Sequence, residues 1–285
     1  MISIIISSHQ NELFENISIN ISETIGCEYE IIKVDNPGKV SIAEAYNIGI
    51  NKSAFEILCF CHEDILFHTK NWGPILLHLF TENNIGILGI AGTKANPFLP
   101  IPWWTIDYKQ NYSEILQHLD DKRVVKITWG WQQNDSLEEV VITDGFFLST
   151  TKSRNLHFDE RLQGFHCYDL AFSLHSRNKG FKNFVTNKIL LEHKSNGKLD
   201  KNWFICTYVF TKFYSKILKQ YKILPQNTDA VESFKNIILQ SLKLGEIKIS
   251  FMYWLKLLRI KNDTKFNLSY IFLLLKAIKK SLFPV

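Results

Sequence analysis

No stretch of this chain reaches the roughly 18 consecutive apolar residues that a membrane-spanning helix needs, so none of it is expected to cross a bilayer. The opening apolar run, Ile2 to Ile6, has no basic segment before it and no small-residue cleavage site after it. It reads as a strand rather than a secretory leader, and the expectation is a cytoplasmic protein. Cysteine is sparse: Cys27, Cys59, Cys61, Cys167 and Cys206 form an odd set without CxxC spacing, which argues against a zinc ribbon, a redox pair or a disulfide framework. Cys59 and Cys61 alternate within an apolar run, share one strand face and read as reduced core residues. Also missing is a Gly-rich loop after the first strand. Ser7-Ser8-His9-Gln10 stands where a dinucleotide fold carries GxGxxG, and no glycine or basic residue there can cradle phosphates. This disfavours a Rossmann dehydrogenase and counts against a nucleotidyltransferase, which stays as an alternative. Helix-turn-helix, RNA-binding and zinc-finger signatures are absent too, so no nucleic-acid partner is expected.

What the chain does have is enough apolar residue, 46% of 285, to bury one large core or one core plus an appendage. Its charge divides unevenly. Residues 1–198 carry 18 Lys+Arg against 23 Asp+Glu, whereas 199–285 carry 15 against 5. We therefore expect two regions, an α/β domain over 1–198 and a basic, aromatic-rich helical region over 199–285.

The first region alternates. Residues 2–9 read as a strand, 12–25 as a helix, 29–36 as a strand ending on a carboxylate, and 42–52 as a helix after a Pro-Gly turn. Residues 55–67 read as one strand running through His62, Glu63 and Asp64, 72–81 as a helix, and 85–93 as a strand. The Pro/Trp-rich stretch 96–104 breaks the pattern, and 105–140 reads as irregular or hairpin. Residues 138–150 then read as extended, with a helix from about Tyr168 and a strand over 184–193 ending on His193. Strand–helix alternation of this kind predicts a largely parallel sheet. In open α/β sheets the ligand crevice lies beyond the carboxyl ends of the strands.

Several side chains at those ends can carry chemistry. An acidic cluster closing an apolar strand is costly unless a cation compensates it. With alternating side chains, His62 and Asp64 face one way as the metal-facing pair and Glu63 the other. Asp35 can accept hydrogen bonds from a base or cap the turn after it. Asp144, next to Gly145, lies on a strand approached closely by another group, either a bound acceptor or the next strand. Asp169 at a helix start is favoured by the dipole or serves as a general base. His193 ends a strand before a Ser-Asn-Gly loop and completes a metal site only if the sheet brings it to Asp64. Trp103, Trp104, Trp129 and Trp131 are sugar-stacking surfaces or core.

Together these blocks resemble the bacterial family 2-like glycosyltransferases of the GT-A fold. The resemblance spans about residues 1–198 and rests on ISIIISSH at the start, VDN at 34–36, SIAEAYNIGINKSAFEILCFCHED at 41–64, DGFFLST at 144–150 and FDERLQGFHCYD at 158–169. Ala45-Tyr46-Asn47-Ile48-Gly49 stands for the more usual Ala-Arg-Asn-x-Gly. His62-Glu63-Asp64 replaces Asp-x-Asp, and Tyr168-Asp169 replaces Glu-Asp. His193, Ser195 and Gly197 approach the His-x-Ser-x-Gly segment of a subgroup with His-x-Asp.

The resemblance implies a GT-A domain with a C-terminal helical extension. It implies transfer of a sugar, with inversion, from a nucleotide sugar such as a UDP-sugar to a glycan or lipid-linked acceptor of a surface polysaccharide. Ser7, His9, Asp35, His62 and Asp64 would contact the nucleotide. Asp64, His62 and His193 would hold Mn2+ or Mg2+. Asp144, Gly145, His166 and Trp104 would meet the acceptor, and Asp169 would be the catalytic base. The non-enzymatic alternative is a nucleotide-sugar or glycan-binding protein that has lost turnover.

The tail reads as helices over 201–221, 231–244, 250–261 and 268–283, with Lys256, Arg259, Lys261, Lys276, Lys279 and Lys280 at near-helical spacing among apolar residues. It either packs with its lysines solvated or holds the protein peripherally on anionic lipid at the inner face of the membrane.

Overall fold

The computed structural model describes residues 1–82, 84–95, 99–132, 136–195, 197, 199–220 and 228–282. Residues 96–98 of the Pro/Trp-rich stretch, Asn196 of the loop after His193, and Tyr221 and Phe283 at two expected helix ends lie outside them. The chain divides into two compact units, one of residues 1–95 and 108–197, the other of 96–107 and 198–285. The segment 96–107 thus groups with the helical region, although the expected boundary at 198 ran it on with the α/β domain.

In the first unit the elements follow in the order β1 (Ile2–Ser8), α1 (Asn11–Thr24), β2 (Tyr29–Asp35), α2 (Ile42–Lys52), β3 (Ile57–Cys61), β4 (Ile65–Phe67), α3 (Trp72–Glu82), β5 (Ile85–Gly89) and β6 (Ala91–Thr93). After residue 107 come β7 (Asn111–His118), β8 (Val124–Trp129), β9 (Leu137–Val140), β10 (Ile142–Thr143), β11 (Phe147–Thr151), α4 (Tyr168–Asn178), β12 (Lys182–Thr186) and β13 (Leu191–His193). A seven-stranded sheet runs β2-β1-β3-β11-β5-β12-β9, and a six-stranded one β10-β6-β7-β13-β4 with β8 on β7. The pairs β1–β2, β1–β3 and β5–β12 are parallel. Strand β11 lies antiparallel between β3 and β5, so the sheet is mixed.

β1 sits at the centre of its parallel trio because its β-branched Ile2, Ile4, Ile5 and Ile6 are all buried, as expected of a strand covered on both faces. α2 begins where the Ser41 hydroxyl accepts from the Glu44 peptide N–H at 3.2 Å, a cap that the spacing Ser41-x-x-Glu44 announces. It packs directly on β1 through Gly49, where a Cβ would lie 2.2 Å from Ile5 Cγ2. Asn47 on the same helix clamps a distant loop: its amide donates to the Phe158 carbonyl at 3.0 Å and accepts from the Phe158 N–H at 2.9 Å. Beneath lies an aromatic core of Tyr46, Phe60, Phe158, Tyr168 and Phe172, with Phe158 and Phe172 stacked at 4.0 Å.

Four runs expected as single extended segments are broken in the structure. Residues 55–67 divide into β3 and β4, 85–93 into β5 and β6, 138–150 into β9, β10 and β11, and 184–193 into β12 and β13. The first, second and last send their two pieces to different sheets, and so do β9 and β10 within the third. The region 105–140 holds the hairpin β7–β8, with Ile115 opposite Ile127. All five cysteines are free, and four of them are buried.

Among the described residues of the second unit, the helices that follow are α5 (Lys201–Phe213), α6 (Ser215–Gln220), α7 (Thr228–Lys243), α8 (Ile247–Leu258) and α9 (Thr264–Leu282). Asp200 caps α5, accepting from the Trp203 N–H at 2.8 Å. Phe234, Tyr253 and Tyr270 form its core, and Lys235, barely exposed, is held between Glu232 and Asp263 at 2.7 and 2.6 Å. Among the described residues no helix is long and apolar enough to cross a membrane.

Candidate functional site

One edge of the first unit gathers side chains from four elements. β3 stops at Cys61, but the His62 N–H still donates to the Phe146 carbonyl at 3.0 Å, so the β3–β11 ladder runs one residue further and sets Asp144–Phe146 beside His62. β13 pairs with β4, His193 opposite Ile65, and the Lys194 N–H donates to the Asp64 carbonyl at 3.0 Å. That pairing lays His193 across from Asp64. His62, Asp64 and His193 consequently present ligand atoms all within 4.8 Å of one another.

Glu63 turns the other way. Its buried carboxylate accepts from the His9 and Gln10 N–H groups at 3.2–3.3 Å and pairs with His9 Nδ1 at 2.6 Å. Gln10 supplies no side-chain cap to α1. The carboxylate instead binds the N–H groups just before the helix, where the helix dipole favours negative charge, and it ties the end of β1 to the His62–Asp64 turn.

Neighbours fix how the two imidazoles face. Gln117 Nε2 donates to the carbonyls of His118, His193 and Ser195 at 3.0, 3.2 and 2.9 Å, which leaves its Oε1 to accept from His193 Nδ1 at 3.1 Å. His193 therefore carries its proton on Nδ1 and keeps a lone pair on Nε2, the atom 3.9 Å from Asp64 Oδ1. Burial pushes the His193 pKa down, against the pull of Asp64. Phe146 stacks on it at 4.9 Å. His62 Nε2 meets the Tyr168 hydroxyl at 2.6 Å; when that nitrogen donates, Nδ1 keeps its lone pair 3.9 Å from Asp64 Oδ1. Burial raises the Asp64 pKa, but His62, His193 and a hydrogen bond from Ser195 outweigh it and hold the carboxyl below its usual range.

Tyr168 opens α4, and Asp169 follows it. The turn before them is unusual, since Cys167 has φ 61°, a left-handed conformation that costs a non-glycine residue about 1 kcal/mol or more. The group that closely approaches Gly145 is Tyr168: a Cβ there would lie 2.1 Å from its hydroxyl oxygen. Burial raises the Asp169 pKa, Asp144 adds to it, and backbone N–H groups including that of Gly145 offset part, leaving it pushed up to about 7.

The other expected residues are more scattered. Ser7 lies one residue before the end of β1, the neighbour of the cluster's strand β3, and Asp35 ends β2 on the other side of β1, opposite Ser8. Asp35 is exposed and pairs with Lys33 at 2.8 Å. Buried Asn36 donates to Ser7 Oγ at 3.2 Å and to the Val40 carbonyl at 3.1 Å, shaping the turn after β2. His166 lies partly buried in the turn before α4. Trp104 belongs to the second unit, where it meets Trp103 edge-on at 5.7 Å. Trp103 is core, and Trp131 packs edge-on against Tyr112 at 5.6 Å.

Sequence reading missed the roles of Tyr168, Gln117 and Glu63. Only Glu63 left a signal, the strand alternation that turns it away from its neighbours.

A profile described as "Glycosyltransferase like family" matches residues 3–226. No curated protein matches the chain in sequence. Among solved structures, GalNAc-T7 with UDP, GalNAc and Mn2+ superposes with a TM-score of 0.51 at 9% identity, covering 77% of this chain and 49% of that one. This chain thus spans about half the length of that relative. TarS 1–349 of S. aureus in complex with UDP matches at a TM-score of 0.44 and 10% identity over 83% of this chain and 69% of its own. A197 from STIV matches at 0.39 and 10% over 68% and 86%.

Proposed function

The chain belongs to the glycosyltransferase-like family, and from that premise we propose that it transfers a sugar from a nucleotide sugar, a UDP-sugar in the first instance, to a hydroxyl of a glycan or lipid-linked acceptor. The observation that carries the reading is the convergence of His62, Asp64 and His193 within 4.8 Å beside the Tyr168–Asp169 turn. The fold is that of GT-A glycosyltransferases, and GalNAc-T7, which shares it, was solved with UDP and Mn2+.

The three side chains suit a divalent cation. One carboxylate and two imidazoles face one another, and each imidazole has its second nitrogen engaged, the outer-shell arrangement that orients metal ligands. Two imidazoles suit a transition-metal ion better than Mg2+, so Mn2+ is the cation to try first. When bound, it would neutralise charge on the leaving diphosphate.

The chain's own residues do the rest. Asp169, with a pKa near 7, is matched to accept a proton from an acceptor hydroxyl at neutral pH as that oxygen attacks the anomeric carbon. The new C–O bond forms as the bond to the diphosphate breaks, and the reaction inverts the anomeric centre. The Gly145 N–H holds the Asp169 carboxylate in place. Asp144, Gly145 and His166 form the acceptor side, Ser7, His9 and Asp35 the nucleotide side.

The test measures UDP binding and UDP-sugar hydrolysis with and without Mn2+ on the protein, on Asp64→Ala and on Asp169→Asn. The expected result is metal-dependent UDP binding lost in Asp64→Ala, and turnover lost in Asp169→Asn with binding intact. UDP binding without turnover in the unaltered protein, across sugars and acceptors, would make it a binding protein instead. No UDP binding at all would overturn the reading.

A further inference from the structure

Helix α9 has two sides that obey different rules. Tyr270 and Leu274 are buried against the second unit. The side next to them presents Leu268, Ile271, Leu275, Ile278 and Leu282, with Leu268, Leu275 and Leu282 each more than 60% exposed. Their spacing of three and four residues lines them up along one face, over ~21 Å at 1.5 Å per residue. Phe272, 58% exposed, lies beside the stripe, and Lys276 reaches over its ring, Nζ 4.3 Å from the centroid.

Charge selects what covers this face. α9 contains Lys265, Lys276, Lys279 and Lys280 and no Asp or Glu. α8 likewise carries Lys248 and Lys256, contains no acidic residue, and exposes Phe251, Met252 and Leu255. A stripe spaced in threes and fours is also the seam of a coiled coil, but such seams take their pairing from opposite charges at the flanks. A second copy of α9 would set lysine against lysine. Burial across a bilayer is excluded by the helix's four lysines, which leave it too polar for a span. A surface that is apolar within and negative at its rim satisfies both halves of the face.

We propose that α9 lies in the interface of an anionic lipid bilayer. Its Leu268–Leu282 stripe sits among the acyl chains, and its lysines, with apolar stems long enough to reach outward, sit at the level of the phosphates. This goes beyond glycosyl transfer and does not depend on it: an amphipathic helix binds vesicles whatever the first unit catalyses, so failure here leaves the proposed function standing.

The experiment is co-sedimentation of the full chain with phosphatidylcholine vesicles with and without phosphatidylglycerol, at low and high salt, alongside analytical ultracentrifugation without lipid. Binding is expected only with phosphatidylglycerol and should weaken with salt. Replacing Lys276, Lys279 and Lys280 by Gln should weaken it about a hundredfold, each lysine near an anionic surface contributing about fivefold. Leu268→Ser with Leu275→Ser should weaken it about tenfold or more; both side chains are mostly exposed, so the fold, checked by circular dichroism, should persist. Equal partitioning onto both kinds of vesicle, or none, would overturn the proposal. So would a dimer in solution that the two serine substitutions dissolve, because the stripe would then be a seam between copies.

Discussion

Burial, with the nearby Asp144 carboxylate adding to it, raises the cost of ionising Asp169 and drives its pKa to about 7. A carboxylate that must be ionised to accept a proton then imposes an acidic limb on the rate. Turnover should rise with pH up to about 7 and level off above it, and Asp169→Asn should lower kcat by about 10²–10⁴-fold with little change in KM. The same group works against stability. Because its folded pKa lies above the unfolded value of about 3.9, the folded state binds the extra proton between those limits, and stability falls as pH rises from about 4 to about 7. Asp169→Asn has no such loss. Its Tm should match that of the unaltered protein near pH 4 and exceed it at pH 8 by about 2–4 °C or more, the shift 1 kcal/mol gives a protein of this size. A variant equally stable or less stable at pH 8 would contradict the buried-carboxylate account. Tyr168 gives a separate test. Phenylalanine keeps the ring in the aromatic core but leaves His62 Nε2 without its 2.6 Å partner. Titration calorimetry with Mn2+ should show affinity down by about 10–100-fold, as for loss of an outer-shell partner, with folding retained.

At the scale of elements, the loop that carries Phe158 to Asp169 depends on α2. Asn47 satisfies both the N–H and the carbonyl of buried Phe158 and also donates to Glu160 at 2.8 Å. Asn47→Ala strands those two backbone groups away from water and should cost about 2–6 kcal/mol, at 1–3 per orphaned group, measurable by urea denaturation. Gly145→Ala should be worse for the site than for the core, because its Cβ displaces the Tyr168 hydroxyl; loss of Mn2+ affinity together with turnover is expected. Much of this architecture is legible in sequence. Apolar runs gave strands, helical spacing gave α1 and α2, and alternation told His62 and Asp64 from Glu63. What sequence hid follows from strands that change sheet. The runs 55–67 and 184–193 read as continuous because both pieces of each are apolar, yet the break between β3 and β4 sets the direction of His62, and β13 is what brings His193 to Asp64. β7 was hidden differently. Its inward residues are Asn111, Ser113, Ile115 and Gln117, all buried, so the apolar alternation that marks a half-buried strand is mostly absent, and with it any sign that Gln117 orients His193.

Over the whole molecule the charge balance changes near residue 198, but charge says nothing about which loop a helical unit recruits. Segment 96–107 buries Leu99, Ile101, Trp103 and Ile106, and the turn at Trp103–Thr105 packs against α7 within the second unit. A fragment ending at 198 therefore keeps four large apolar side chains whose unit has been removed, each worth about 1.5–3 kcal/mol when buried. Expressed alone, residues 1–198 should bind a hydrophobic dye and aggregate. The same fragment with 96–107 replaced by a short Gly/Ser linker should stay soluble, because that segment clusters with the second unit and not with the sheets. Equal aggregation of both fragments would mean that the sheets themselves need the helical unit; solubility of both would mean that the segment finds cover on the first. If the linker version is soluble and still binds Mn2+, then Asp64, His62 and His193 form their site without any help from the tail, as expected of ligands held by β3, β4 and β13 and oriented by Gln117 and Tyr168, all in the first unit.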